Sequence, residues 1–177
     1  MAGSLIVAAE FGKNDFAWLD ALRRRHYPPG RNRVPAHLTL FRSLPPSAEA
    51  EVRRSLSRAA AAAQPAAEAT GVMDLDRGIA LRISSEDLLA VRNQLAEEFR
   101  GLLTAQDQGS WTAHVTIQNK AEPRAAGRLL REMRAGHEPR PIEITGLQLI
   151  RYAEGEWEAV ARYAFRGARP PRRHRRS

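Results

Sequence analysis

Two short stretches of this chain repeat one pattern of histidine, apolar, threonine, apolar: His37-Leu38-Thr39-Leu40 and His114-Val115-Thr116-Ile117. On a β-strand, residues two apart project from the same face. Each histidine therefore travels with its threonine, while the aliphatic residues turn inward. Imidazole has an unperturbed pKa near neutrality and serves as acid or base. Two imidazoles facing one phosphodiester can divide its hydrolysis, one taking a proton from the attacking water and the other giving a proton to the departing ribose oxygen. Two hydroxyls, with any nearby cation, would hold the non-bridging oxygens as charge redistributes. One such stretch alone carries little weight. A matched pair, each preceded by an alanine (Ala36, Ala113), carries much more.

Rival chemistries find less support. The chain has no cysteine, which removes disulfides, thiolate metal sites and cysteine nucleophiles, and fits a reducing compartment such as the cytoplasm. His26, His137 and His174 fall in turn-like or terminal contexts without a carboxylate cluster, so they are expected to face solvent, and no metal site is expected. Neither a Gly-x-x-x-x-Gly-Lys loop nor a Lys-x-Asp-Gly motif occurs, so ATP-driven ligation and a bound cofactor are not expected. Trp111, Trp157 and Phe99 are assigned to the core. The first apolar run, Leu5 to Ala9, is too short for a signal peptide or a membrane span, and no membrane association is expected.

The elements that must position the motifs follow from pattern. Ser4 to Glu10 reads as a strand. Asn14 or Asp15 should cap a helix carrying Phe16, Leu19 and Leu22, stopped at Tyr27-Pro28-Pro29-Gly30. Ala36 to Phe41 is a strand, and Pro45-Pro46-Ser47 opens a helix to about Ala63. Glu68 to Leu75 and Ile79 to Ser84 pair through Asp76-Arg77-Gly78. Ser84 or Ser85 caps a helix from Glu86 to about Leu103. Trp111 to Gln118 is a strand, Pro123 to Gly136 a helix, and Ile142 to Tyr152 pairs with Trp157 to Phe165.

After the first strand the order helix, strand, helix, strand, strand occurs twice. Thr70-Gly71-Val72 echoes Thr145-Gly146-Leu147 in nearly the same register as the histidine motifs. The expectation is an α+β fold of two pseudo-symmetric lobes, each an antiparallel sheet with helices outside, their motifs facing a central cleft. Residues 1–165 would form this single domain, acting as a monomer. Six of the eight net positive charges fall in residues 166–177, leaving a body of only +2. That arginine-rich end is expected to be a disordered tail, either attracting RNA or serving only as a solvated segment that aids solubility.

The motifs and the element order resemble the 2H phosphoesterases, named for two His-x-Thr/Ser-x motifs, and among them the bacterial 2′-5′ RNA ligase or RNA 2′,3′-cyclic phosphodiesterase branch. The resemblance implies metal-free opening of a 2′,3′-cyclic phosphate to a 2′-phosphate, on an RNA end or a small cyclic nucleotide. It implies His37 as the acid serving the leaving 3′ oxygen and His114 as the base, although the residues alone leave the two roles interchangeable. Ligation would be the same reaction reversed. RNA-processing members often carry an arginine five residues after the second histidine, where this chain has Asn119. Alternation puts Lys120 with Gln118 on the His114 face, so Lys120 is expected to join Thr39 and Thr116 at the phosphate. Alternation also favours Phe41 beside the cleft and points Arg42 away from His37, with Phe41, Gln118 and Arg42 as candidate substrate contacts. A small nucleotide or ADP-ribose cyclic phosphate as substrate, and a non-catalytic RNA-binding protein, are the competing readings.

Overall fold

The computed structural model describes residues 3–168. Within them five helices and eight strands alternate: β1 (Ser4–Phe11), α1 (Lys13–His26), β2 (Leu38–Leu44), α2 (Glu49–Ala59), β3 (Glu68–Asp74), β4 (Ile79–Ser84), α3 (Glu86–Glu98), α4 (Ala105–Gln108), β5 (His114–Gln118), α5 (Pro123–Gly136), β6 (Arg140–Pro141), β7 (Ile144–Ala153) and β8 (Glu156–Ala164). They build two antiparallel sheets, ordered β2-β1-β7-β8 and β5-β4-β3-β6. The fold is α+β, as its sequence pattern implies. One continuous apolar cluster spans both sheets.

The sheet orders place the repeat differently from the linear pattern. β1 occupies in its sheet the position that β4 occupies in the other, and β7 corresponds to β3. The repeated unit is therefore β1-α1-β2-α2-β3 followed by β4-α3-β5-α5-β7, and it starts at the first strand. Each unit lends its third strand to the other unit's sheet. The chain crosses between lobes, so neither lobe can form from one half of the sequence. Helices cross too: α1, between two strands of the first sheet in the chain, packs on β5 of the second, and α2 packs on α3 and β8.

Local boundaries shift for identifiable reasons. Gly12, with no side-chain cap, precedes α1, because Asp15 is engaged elsewhere, accepting from the Glu143 N–H and pairing with Arg140. Helix α2 stops at Ala59, short of the expected Ala63. The carbonyls of Ala60 and Ala62 accept instead from the Arg166 and Gly167 N–H groups. Arg166 and Gly167, which open the expected tail, are thus hydrogen-bonded to the end of α2, and residues 169–177 of that tail lie outside the described residues. Helix α3 is capped by Ser85 Oγ accepting from the Leu88 N–H. It ends at Glu98 and not near Leu103, because the chain reverses through Gly101 at φ +86, a left-handed conformation that glycine adopts without steric cost. The short helix α4, which no periodicity announces, follows.

Candidate active site

β2 and β5 are edge strands of their sheets and carry the two motifs. Thr39 sits opposite Ala8, which sits opposite Gln148. Thr116 sits opposite Ala80, which sits opposite Met73. The same row thus occurs in both lobes. His37 precedes its strand and His114 begins its own. Both histidines and both threonines line one cleft of about 320 Å³ between the lobes.

The two imidazoles are held alike. Nδ1 of His37 lies 2.8 Å from the Pro35 carbonyl oxygen, and Nδ1 of His114 lies 2.7 Å from that of Thr112. A carbonyl can only accept, so each Nδ1 must carry the hydrogen. Nε2 is left on each ring as the atom able to take or give a proton.

Beyond each threonine the strand bulges, and the bulge changes what strict alternation expects. Val7 faces Phe41, yet the next residue, Ala8, faces Thr39, so Leu40 is an extra residue. Ile79 faces Gln118 while Ala80 faces Thr116, making Ile117 the counterpart. A bulge moves all later side chains to the opposite face. Phe41 accordingly turns into the core, fully buried and edge-on to Phe99 at 5.3 Å, and is not beside the cleft as expected. Arg42 turns into the cleft instead of away from it. Gln118, the counterpart of Phe41, is also buried, its Oε1 without a partner among the described residues. Lys120, expected at the phosphate, sits past the end of β5 at φ +57 and is exposed outside the cleft lining. A cation that lines the cleft with the histidines is therefore Arg42, five residues after His37. It stands at the offset where the resemblance led one to look after His114.

Buried and half-buried side chains from each repeat hold the motif strand of the other. Arg23 on α1 donates to the Thr116 carbonyl at 3.0 Å and to Asn32 Oδ1 at 2.8 Å. Arg92 on α3 donates to the carbonyls of Leu40 (3.4 Å) and Asp107 (2.7 Å) and lies over the Phe41 and Trp111 rings. Trp111 Nε1 donates to the Thr39 carbonyl at 2.9 Å. The Asp107 carboxylate accepts from the Arg42 and Ser43 N–H groups at 2.9–3.1 Å. An edge strand leaves backbone groups unpaired, and these four side chains satisfy them. Composition gives no hint of this, since Arg23, Arg92 and Asp107 look like surface residues until burial is known.

The electrostatics of the cleft act most strongly on His37. Burial pushes its pKa down to about 4, with the positive charges of Arg23, His114 and Arg42 adding to that and the Pro35 carbonyl opposing it. At neutral pH His37 is therefore uncharged. Its ring also packs on Trp157 of β8, centroids 4.8 Å apart. Of the aromatic residues assigned to the core, Phe99 is there and Trp111 packs half-buried against it while lining the cleft, but Trp157 borders the neighbouring cavity. His137 does not face solvent fully, for its Nε2 is buried without a partner. Among the described residues no group of three or more His, Asp or Glu side chains is placed to share a metal ion, and no helix is long and apolar enough to cross a membrane.

This architecture matches known proteins. The family model described as the 2′-5′ RNA ligase superfamily matches residues 11–156. A crystal structure from Thermus thermophilus superimposes with a TM-score of 0.64 at 18% identity, covering 94% of this chain and 100% of the other. E. coli LigT complexed with 3′-AMP superimposes with a TM-score of 0.59 at 17% identity, covering 93% and 99%. LigT complexed with NADP+ gives 0.59 at 18% identity over the same shares. No curated protein sequence matches the chain.

Proposed function

Because the chain belongs to the 2′-5′ RNA ligase superfamily of 2H phosphoesterases, we propose that its cleft opens 2′,3′-cyclic phosphates at RNA or nucleotide ends to 2′-phosphates without a metal. The observation that carries this reading is the mirrored pair of imidazoles, each locked with hydrogen on Nδ1 and Nε2 left for proton transfer, in a cleft with two threonines and Arg42. Thr39, Thr116 and Arg42 hold the non-bridging oxygens. His114 Nε2 takes a proton from water as the water oxygen bonds to phosphorus. The bond from phosphorus to the 3′ oxygen breaks, and His37 Nε2 delivers its proton to that oxygen. Products are a 2′-phosphate and a 3′-hydroxyl. Run in the same direction with a 5′-hydroxyl in place of water, these steps join two ends through a 2′-5′ bond; run backwards, they cleave that bond and close the cyclic phosphate.

An acid must arrive protonated, and burial, with a smaller contribution from positive neighbours, holds the His37 pKa down. An anionic phosphate beside the ring favours its protonated form, so substrate and proton enter together. That LigT is found with 3′-AMP and with NADP+ supports a nucleotide-sized substrate, as does the modest charge of residues 1–165. The test is incubation of a short RNA bearing a 2′,3′-cyclic phosphate in excess chelator. The expected product is the 2′-phosphate, with His37→Ala and His114→Ala each slower by roughly two or more orders of magnitude. Activity lost to chelator and restored by a divalent ion, or a 3′-phosphate product, would refute the mechanism.

A further inference from the structure

Beyond their motifs the two repeats differ. In the first sheet the outer strand β8 is nine residues long and runs the length of β7. In the second sheet the outer strand β6 has two residues, opposite Glu68 and Ala69. Among the described residues no strand lies beyond the rest of β3. The Val72 carbonyl there accepts from the Arg134 guanidinium, and a Cβ on Gly71 would meet nothing within 4 Å.

The row of residues that starts at His114 runs onto this open sheet. His114 on β5 faces Arg82 on β4, and Arg82 faces Gly71 on β3. Directly opposed residues share a face of the sheet and stand about 5 Å apart at Cβ. The Arg82 side chain therefore rises beside His114, on the face that turns to the cleft. Its neighbours Leu81 and Ile83 are buried on the other face. Arg82 is exposed and has no carboxylate partner among the described residues. The corresponding position beside His37 belongs to Glu10, since Ala9 faces Leu38, and Glu10 is paired with Arg162 at 3.6 Å. One lobe thus carries a partnered acid at this place and the other an unpartnered cation on an open floor.

We propose that this shelf is an acceptor subsite: it holds the nucleotide whose 5′-hydroxyl takes the place of water, with the Arg82 guanidinium on that nucleotide's 3′-phosphate. The inference rests on the phosphoesterase reading, in which the nucleophile arrives on the His114 side. The 5′ oxygen bonds to phosphorus and gives its proton to His114 Nε2, the bond from phosphorus to the 3′ oxygen breaks, and His37 Nε2 protonates that oxygen. One ribose separates the reacting 5′ oxygen from the 3′-phosphate of the same nucleotide, a span comparable to the strand step of about 5 Å between His114 and Arg82. A guanidinium meets phosphate through paired donors, and Gly71 leaves the sugar unobstructed. Water uses none of these contacts, so they favour a polynucleotide 5′ end over hydrolysis.

The reverse reaction reads the same subsite. Cleavage of a 2′-5′-linked adenosine dinucleotide returns the cyclic phosphate and a 5′-hydroxyl. Its kcat/KM should rise about fivefold when the nucleoside that leaves through its 5′ oxygen carries a 3′-phosphate. The same phosphate placed on the 5′ oxygen of the other nucleoside measures general attraction to the cleft. Arg82→Ala should bring the 3′-phosphate preference toward unity and spare the 5′-phosphate effect, while Arg82→Lys should keep part of the preference. Calorimetric binding of the dinucleotides with and without the 3′-phosphate, in His37→Ala protein, should show the same preference and lose it when Arg82→Ala is added. No preference in the wild type, one that survives Arg82→Ala, or equal loss of the 5′-phosphate effect overturns the subsite. A binding preference abolished by Arg82→Ala, where the wild type cleaves neither dinucleotide, supports the subsite and refutes the enzymatic reading.

Discussion

At the scale of single residues, the neighbours Phe41 and Arg42 separate packing from chemistry. Phe41 is fully buried against Phe99, so Phe41→Ala should cost about 3–5 kcal/mol of stability, measured by denaturant unfolding. Arg42 is exposed to the cleft and has no carboxylate partner among the described residues, so Arg42→Ala should leave unfolding nearly unchanged and lower kcat/KM about tenfold or more. The reverse outcome would mean the bulge does not turn these side chains as described. His37 gives a second prediction at this scale. Its folded pKa is depressed from an ordinary 6.5 to about 4, so between those values the unfolded chain binds the extra proton. Stability from this group is present above pH 6.5 and is lost as pH falls toward 4. His37→Gln should therefore flatten the decline in Tm over that window. Ring-proton NMR should show the wild-type midpoint near 4, rising on addition of inorganic phosphate. A midpoint indifferent to phosphate would place the anion away from this ring.

At the scale of elements, the short helix α4 holds the first motif strand in place. Asp107 satisfies the N–H groups of Arg42 and Ser43, and its own carbonyl receives Arg92. Removing the carboxylate strands two backbone donors and takes from Arg92 a negative charge that favours its cation. Breaking one member of such a buried network is costly. Asp107→Ala should lose roughly 3 kcal/mol and should speed amide exchange at Arg42 and Ser43 ahead of that at Leu147 and Leu149 in the sheet centre. Uniform exchange across the sheet would show that α4 supports the whole fold and not this edge. The neighbouring turn has its own constraint: a side chain on Gly78 would place Cβ 1.8 Å from the Gln118 carbonyl oxygen, so the β3–β4 turn can approach the end of β5 only as glycine.

At the scale of the whole molecule, the exchange of strands makes the lobes interdependent. β3 and β7 each complete the sheet of the other repeat, so the two halves expressed separately would each lack a strand of their sheet. The arginine-rich end is a separate matter. Arg166 donates to the Ser57 carbonyl and its N–H to Ala60, so a deletion that tests the end must spare it and begin after Ala168. Removing residues 169–177 takes away five arginines and no motif residue. Turnover of a dinucleotide cyclic phosphate should stay nearly constant, while affinity for longer RNA falls and its salt dependence becomes shallower. Loss of dinucleotide turnover to the extent seen in the histidine variants would make the end part of the active site.

The sequence by itself determined the motifs, the element order and the two-lobed α+β class, because hydrophobic periodicity and a repeated pattern of four residues are local properties. It also determined that His37 shares a face with Thr39, and His114 with Thr116, since alternation holds over two residues. Alternation failed one step later, at Leu40 and Ile117. A bulge is decided by how β2 sits on β1 and β5 on β4, and neither strand carries that information alone. That is why Phe41 and Arg42 exchanged places and why Lys120 fell outside the cleft. Tertiary structure alone also brought Trp157 onto His37. The two lie at diagonally opposite corners of a four-stranded sheet, and twist curls such corners toward one another. The depressed pKa of His37 belongs to the same class of fact. It comes from burial and from charges supplied by α1, β2 and β5, which meet only after the chain has crossed between its lobes.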